Sequence, residues 1–309
     1  MNSSPLLKPE YNSGSALRSF LEERGLSIRK KWGQNFLINP RAREFIVNAL
    51  EAEAGASVWE IGGGLGCMTN ELLDRGMNVT VFEIDEGFCS ILSDLFAANS
   101  NFSLVSGDVL KTWKTKERVP YLLGNLPYTV AAVLMGNLIT EHCLFSRMVI
   151  TVQKEVALRM AAKPGSKDYS SISVLCASAY SMKIIMTLKG ASFYPAPHVD
   201  SAVIRFERLP ERVLPPDHFY PLVRSLFASR RKTIISNLQN FVSGSCTIRP
   251  QDSSSVAAEA LKNCGVDGRE RAEKLPVEGF FALAEELAKL VTFAGKNKTP
   301  ERKRVKGST

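Results

Sequence analysis

The sequence predicts an α/β chain, a largely parallel sheet covered by helices on both faces, with a helical region after it. Three observations carry that expectation. From residue 57 onward, short apolar runs alternate with segments of helical periodicity. The runs are apolar nearly throughout rather than at every second position, as strands buried on both faces must be. Pro210, Pro215 and Pro216 close the alternating part, and only helical patterns follow them.

Taken in order, residues 1–14 carry no periodic pattern and read as disordered, and a helix follows from about Ala16 to Glu23. The basic segment Arg29-Lys30-Lys31 leads into Gly33-Gln34-Asn35-Phe36-Leu37. Asn39 before Pro40 is a helix-start signal, and Ala42, Phe45, Ile46, Ala49 and Leu50 recur at helical spacing to predict one buried face. Strands are expected at Ser57–Ile61, Asn78–Ile84, Phe102–Val105, Tyr121–Leu123 and Met148–Val152, with two later ones near Lys183–Leu188 and Ala202–Phe206. A glycine-rich turn and a helix through Leu73 follow the first strand, and a helix from about Glu86 follows the second. Beyond the prolines, Asp217 is placed to cap a helix whose Phe219, Val223, Leu226 and Phe227 share a face, and helices continue to about residue 291. The end, from Lys296 to Thr309, is basic and nearly without apolar residues, and reads as disordered. The expected division is an extension over 1–28, the α/β domain over 29–209, a helical domain over 210–292 and a tail over 293–309.

The 309 residues are 45% hydrophobic and 23% charged, enough apolar sequence for a sizeable core. The formal charge of +8 suits a polyanionic partner. The six cysteines, at 67, 89, 143, 176, 246 and 264, form no C-x-x-C pair, and the three histidines are scattered, so the expectation is free buried thiols in a reducing compartment and no metal. The first residues lack the pattern of a signal peptide. Residues 119–140 carry no charge, but Gly124, Asn125, Pro127 and Asn137 interrupt them, so a buried strand, a polar loop and a buried helix explain them better than a membrane span. A monomeric cytoplasmic protein is expected.

The turn after the first strand reads Glu60-Ile61-Gly62-Gly63-Gly64-Leu65-Gly66-Cys67. Its glycines let the backbone approach a ligand, and the helix behind it offers free N–H groups. The dinucleotide pattern G-x-G-x-x-G fails at Cys67, and no Gly-Lys-Ser/Thr follows to make a P-loop. G-x-G-x-G after an acidic strand end is left, a pattern of methyltransferases. Glu83 ends the second strand about 20 residues after Gly62, where a carboxylate accepts ribose hydroxyl protons. Asp108 follows the third strand and is suited to accept a hydrogen bond from an adenine amine of the cofactor.

The fourth strand runs into Asn125-Leu126-Pro127-Tyr128. An adenine amine is a poor nucleophile because its lone pair is delocalised into the ring. The Asn125 side-chain oxygen and the Leu126 carbonyl are placed to accept the two amine protons, which aims the lone pair at a methyl sulfonium. The proline preorganises the loop and Tyr128 offers a stacking face. The motif resembles that of the N6-adenine methylases.

Further motifs narrow the likeness. Gly33-Gln34-Asn35-Phe36-Leu37, the run from Phe193-Tyr194-Pro195-Ala196-Pro197-His198 to Val199-Asp200-Ser201-Ala202-Val203, Phe227-Ala228-Ser229-Arg230-Arg231-Lys232-Thr233 and Arg271-Ala272-Glu273-Lys274-Leu275 occur in order. From about Lys30 to Leu287 the chain resembles the small-subunit ribosomal RNA adenine N6,N6-dimethyltransferases of the kasugamycin-sensitivity family. The resemblance implies a Rossmann-like class I methyltransferase with a seven-stranded sheet plus a small helical domain. It implies S-adenosyl-L-methionine as cofactor, held by Asn35, Leu37, Gly62, Glu83, Asp108 and Asn125, and Phe193 as a second stacking face for the target base. The implied substrate is a pair of adjacent adenosines in a hairpin loop near the 3′ end of small-subunit rRNA, each methylated twice in the immature subunit. Arg230, Arg231 and Lys232 are expected to meet RNA phosphate.

Two positions depart from the family pattern. Gly63 replaces the usual proline, which is expected to loosen the turn, and Thr129-Val130 replaces the commoner Asn-Ile. The competing readings are a large-subunit rRNA methylase of the macrolide-resistance type, an assembly factor that does not depend on methylation, and a DNA amino-methylase.

Overall fold

A computed structural model describes residues 7–29, 33–126, 128–210, 215–247 and 252–293. The chain divides into two compact units, Met1–Leu214 and Pro215–Thr309.

The first unit runs α1 (Gly14–Glu22), β1 (Phe36–Leu37), α2 (Pro40–Asn48), β2 (Ser57–Ile61), α3 (Cys67–Asp74), β3 (Asn78–Glu83), α4 (Glu86–Phe96), β4 (Phe102–Ser106), α5 (Val109–Thr112), β5 (Tyr121–Asn125), α6 (Tyr128–Thr140), β6 (Arg147–Gln153), α7 (Lys154–Met160), α8 (Ser171–Ala177), β7 (Tyr180–Leu188), β8 (Phe193–Tyr194) and β9 (Ser201–Arg208). Seven strands form one sheet in the order β4-β3-β2-β5-β6-β9-β7. The ladders joining β2 through β6 are parallel, and β9 lies antiparallel between β6 and β7. These are the seven expected strands. The last two are longer than their apolar runs because the antiparallel ladder carries on from Ser201 to Arg208.

The strand order reverses between β2 and β5, with Ile61 level with Gly124, so a crevice opens beyond the carboxyl ends of these two strands. Val58, Val79, Val81, Leu123, Val149 and Val203 from the sheet pack with Ile46, Leu72 and Leu92 from the helices. Each such side chain, fully buried, contributes about 1.5–3 kcal/mol. Trp59 meets Phe82 and Phe145 edge-on at centroid distances of 5.0 and 5.5 Å. The uncharged stretch 119–140 becomes β5, a loop and α6, and no helix among the described residues is long and apolar enough to cross a membrane.

Two segments differ from what the sequence pattern predicts. Residues 7–14 are ordered by contacts that composition does not reveal. The Lys8 ammonium bonds the Asn70 side chain, the Tyr11 hydroxyl donates to Leu65 O at 3.1 Å, and Ser13 caps α1 by accepting from Ala16 N. Leu17, Phe20 and Leu21 of α1 then pack with Phe36, Leu65 and Phe88. The buried face of α2 is also rotated from the expected one: Phe45 is 41% exposed, while Arg43 and Val47 are buried. Arg43 tolerates burial because its guanidinium donates to Leu37 O at 2.9 Å, Tyr11 O at 3.4 Å and Asn12 Oδ1 at 2.5 Å.

The second unit holds α9 (Phe219–Ala228), α10 (Ile234–Ser245), α11 (Ser253–Asn263) and α12 (Val277–Leu290). His218, one residue after the expected Asp217, takes the N-cap position of α9. Phe219, Leu222, Val223 and Leu226 are buried with Leu238, Ala260, Phe280 and Leu287. Phe227 is half-buried and stacks on Phe280. Phe293 stacks on His218 with ring centroids 3.9 Å apart. The rest of the expected tail lies outside the described residues. All six cysteines are free, five of them buried, and burial raises their thiol pKa values.

Candidate active site

The turn after β2 is shaped by its glycines. Gly62, Gly64 and Gly66 have φ of 81°, 56° and 84°, in the left-handed region that side chains other than hydrogen disfavour. Gly62 N donates to Phe82 O at 2.8 Å, which ties the turn to β3. A side chain at Gly63 has no room. Val81 and Leu92 occupy the space where its side chain would begin, so the packing at this position is closed.

Glu83, 6% exposed, pins the turn from β3. Its Oε2 accepts from Gly64 N at 2.8 Å, and its Oε1 from Ile84 N and Asp85 N, both at 2.9 Å. Oε1 is thereby satisfied, while Oε2 keeps acceptor capacity. Burial raises the carboxyl pKa, and the three backbone N–H groups pull it back. Glu60 at the end of β2 is 1% exposed and accepts from Thr69 Oγ1 at 2.6 Å. Burial first, and then the neighbouring Glu83, push its pKa up to about 8. Sequence reasoning used Glu60 only as the acid before the turn. Its burial could not be read from a strand-end position. Asp108 caps α5, accepting from Leu110 N at 3.0 Å through one carboxylate oxygen.

Asn125 ends β5 opposite Thr151, and Leu126 N donates to Thr151 O at 2.9 Å, so the loop leaves the sheet from a fixed point. The Leu126 side chain is buried. Asn125 Nδ2 donates to Asn35 O at 2.7 Å, joining residues far apart in sequence. Pro127 and the side chain of Tyr128 lie outside the described residues; α6 starts at Tyr128. Phe193 departs from its expected role. It pairs with Leu37 across the β1–β8 ladder, and its ring is 4% exposed in the core. It is not among the residues that line the cleft.

Asn35, Leu37, Gly62, Glu83, Asp108 and Asn125 all line one cleft, which encloses about 880 Å³ of empty space with its open mouth included. Ile61, Ile84, Val109 and Val130 give it apolar walls. Glu60, Glu83 and Asp108 are its acidic side chains, and no lysine, arginine or histidine lines it among the described residues. Such a lining suits a cationic ligand bearing hydroxyls and disfavours a pyrophosphate. S-adenosylmethionine, a sulfonium nucleoside with an α-amino group, fits that donor set. Among the described residues no group of three His, Cys, Asp or Glu side chains is arranged to hold a metal ion.

In the second unit, Arg230, Arg231 and Lys232 are exposed in the turn between α9 and α10. Arg230 pairs with Glu273 at 3.1 Å, and Ile234 N donates to Glu270 O at 2.8 Å, so two of the sequence motifs hold each other.

The sheet order, with the cleft at its reversal, is that of a Rossmann-like methyltransferase fold, and the family and relatives that the chain matches make it an S-adenosylmethionine-dependent enzyme. The family described as ribosomal RNA adenine dimethylase matches residues 25–289, and the chain belongs to that family. It is 42% identical over 289 residues to a ribosomal RNA small subunit methyltransferase A of Treponema pallidum (strain Nichols), covering 92% of this chain and 99% of the relative. The protein of that name from Treponema denticola is 39% identical, covering 94% and 100%. Among solved structures, a dimethyladenosine transferase from Plasmodium falciparum superposes with a TM-score of 0.70 at 24% identity, covering 81% of this chain and 96% of the other. The 23S rRNA methyltransferase ErmE gives 0.59 at 22%, covering 82% and 99%. Both structural likenesses concern the fold alone.

Proposed function

We propose that this chain transfers methyl groups from S-adenosylmethionine to N6 of two adjacent adenosines in a hairpin loop near the 3′ end of small-subunit rRNA, each methylated twice, during subunit maturation in the cytoplasm. The observation that carries the reading is Asn125, held at the strand-order reversal with its amide nitrogen already engaged. The names of the curated relatives support the small subunit as target.

When bound, S-adenosylmethionine supplies an electrophilic methyl group on a sulfonium. The protein's part is to place the amine. Asn125 Nδ2 is committed to Asn35 O, so Oδ1 is the end of the amide left to accept an amine proton. The Leu126 carbonyl accepts the second proton of an unmethylated amine. After one transfer a single N–H remains, and one acceptor is enough to orient it for the second. Tyr128 stacks on the base, worth roughly 1–3 kcal/mol, once the nucleotide has turned out of its loop. Arg230, Arg231 and Lys232 meet phosphate and set register, while the extruded base and the RNA shape supply selectivity.

Primer extension on rRNA incubated with the enzyme and cofactor tests the substrate. Stops are expected at two adjacent adenosines of small-subunit RNA. Stops confined to large-subunit RNA contradict the reading.

A further inference from the structure

Gly33, Gln34 and Asn35 form one wall of the cleft, and the hydrogen bonds that fix this segment lead to Asn125. Gln34 Oε1 accepts from Arg29 N at 2.7 Å, and Gln34 Nε2 donates to Asp85 Oδ2 at 3.1 Å. Asp85 is itself fixed: it is 3% exposed, it caps α4 by accepting from Gly87 N and Phe88 N, and Arg29 Nε lies 3.8 Å from its carboxylate. Asn35 is the next residue. Its side chain donates to Gly33 O at 3.0 Å, and its carbonyl receives the Asn125 amide. An asparagine amide has nearly equal ends. Whichever end is bound to the protein decides whether an acceptor or a donor faces the substrate. A donor there opposes an amine that must lose its protons.

We infer that Gln34 is a positioning residue for methyl transfer: by clamping residues 33–35 to Asp85 it holds the Asn35 carbonyl where it orients Asn125 with Oδ1 toward the target amine. The inference rests on the proposed role of Asn125 as proton acceptor. It assigns Gln34 an effect on the rate of transfer at saturating cofactor, because the clamp acts on the reacting amine through Asn125. An error of about 1 Å in such a group costs up to roughly a hundredfold in rate.

The test uses the full chain, immature small subunits and S-adenosylmethionine. It compares single-turnover transfer at saturating cofactor with the calorimetric dissociation constant of the cofactor. Gln34→Ala is expected to slow transfer at saturating cofactor by about tenfold to a hundredfold, a larger factor than the change in the cofactor's dissociation constant, since Gln34 also lines the cleft. Gln34→Glu keeps the acceptor for Arg29 N but sets a carboxylate against Asp85, and is expected to be as slow. Adding Asp85→Asn supplies a donor to that carboxylate and retains an effective helix cap, so the double variant is expected to recover most of the rate. Wild-type transfer by Gln34→Ala, a matched loss of rate and cofactor affinity, or no recovery in the double variant overturns the inference. Asn125→Ala is measured alongside: full transfer by that variant overturns the acceptor role itself, independently of how Gln34 behaves.

Discussion

The cleft of the first unit and the basic turn of the second unit hold their functional groups in opposite ways. In the cleft, Glu83 receives three backbone N–H groups, Glu60 a buried hydroxyl, and Asn125 a fixed carbonyl partner. In the turn, Arg230, Arg231 and Lys232 stand exposed, and the Arg230–Glu273 pair is a surface one. Buried groups held this tightly act through geometry, so removing one is costly and insensitive to salt. Exposed cations act through long-range charge, so each contributes modestly and salt screens it. Under the proposed function, chemistry and cofactor selection belong to the cleft and salt-dependent RNA affinity to the turn.

The largest effect is expected from Asn125→Ala. Transfer falls by at least about a hundredfold, the scale of removing one preorganised hydrogen-bonding group, while the calorimetric affinity for the cofactor falls by a much smaller factor. Glu83→Ala follows. Loss of a charged hydrogen-bonding group weakens cofactor binding by about tenfold to a hundredfold, and the freed Gly64 N–H loosens the turn as well. Equal effects of both variants on affinity would erase the division within the cleft. In the second unit, Arg231→Ala is expected to leave cofactor binding unchanged and to reduce the slope of log affinity against log salt by about 0.7–1. Arg230→Ala does less, because Glu273 already offsets its charge.

A separate effect concerns pH. Glu60 titrates at about 8 in the folded protein against an ordinary carboxylate value of 4.5, because burial disfavours its charge. A raised folded pKa means that the stability carried by the neutral form is full below the unfolded value and is lost as pH rises through the folded one. The melting temperature of the unliganded protein is therefore expected to fall as pH rises from about 4.5 to about 8, and Glu60→Gln to flatten that fall. Glu83, also raised by burial, leaves a residual slope of the same sign. An identical slope in the Gln variant removes Glu60 as its source.

The strands, the glycine turn and the Asn125 loop were legible in the sequence because each depends on local chemistry: apolar runs, glycine at left-handed positions, residue types that accept an amine's protons. Contacts between distant segments were not. Arg43 reads as a surface charge on α2 until Tyr11, Asn12 and Leu37 surround it. Phe193 reads as a ring beside the base until its pairing with Leu37 buries it. Gly63 reads as slack because the side chains that fill its space come from β3 and α4. The hydrogen bond from Asn125 to Asn35 O depends on the fold bringing the residue before β1 to the end of β5, which no local pattern encodes.

The central claim is that the cleft and the Asn125 loop together methylate adenine N6. Nucleoside analysis of small-subunit RNA after incubation with the enzyme and S-adenosylmethionine tests it most directly. N6,N6-dimethyladenosine is expected with the wild-type chain and not with Asn125→Ala. Methylation at another atom, or equal yields from the two proteins, would contradict the account.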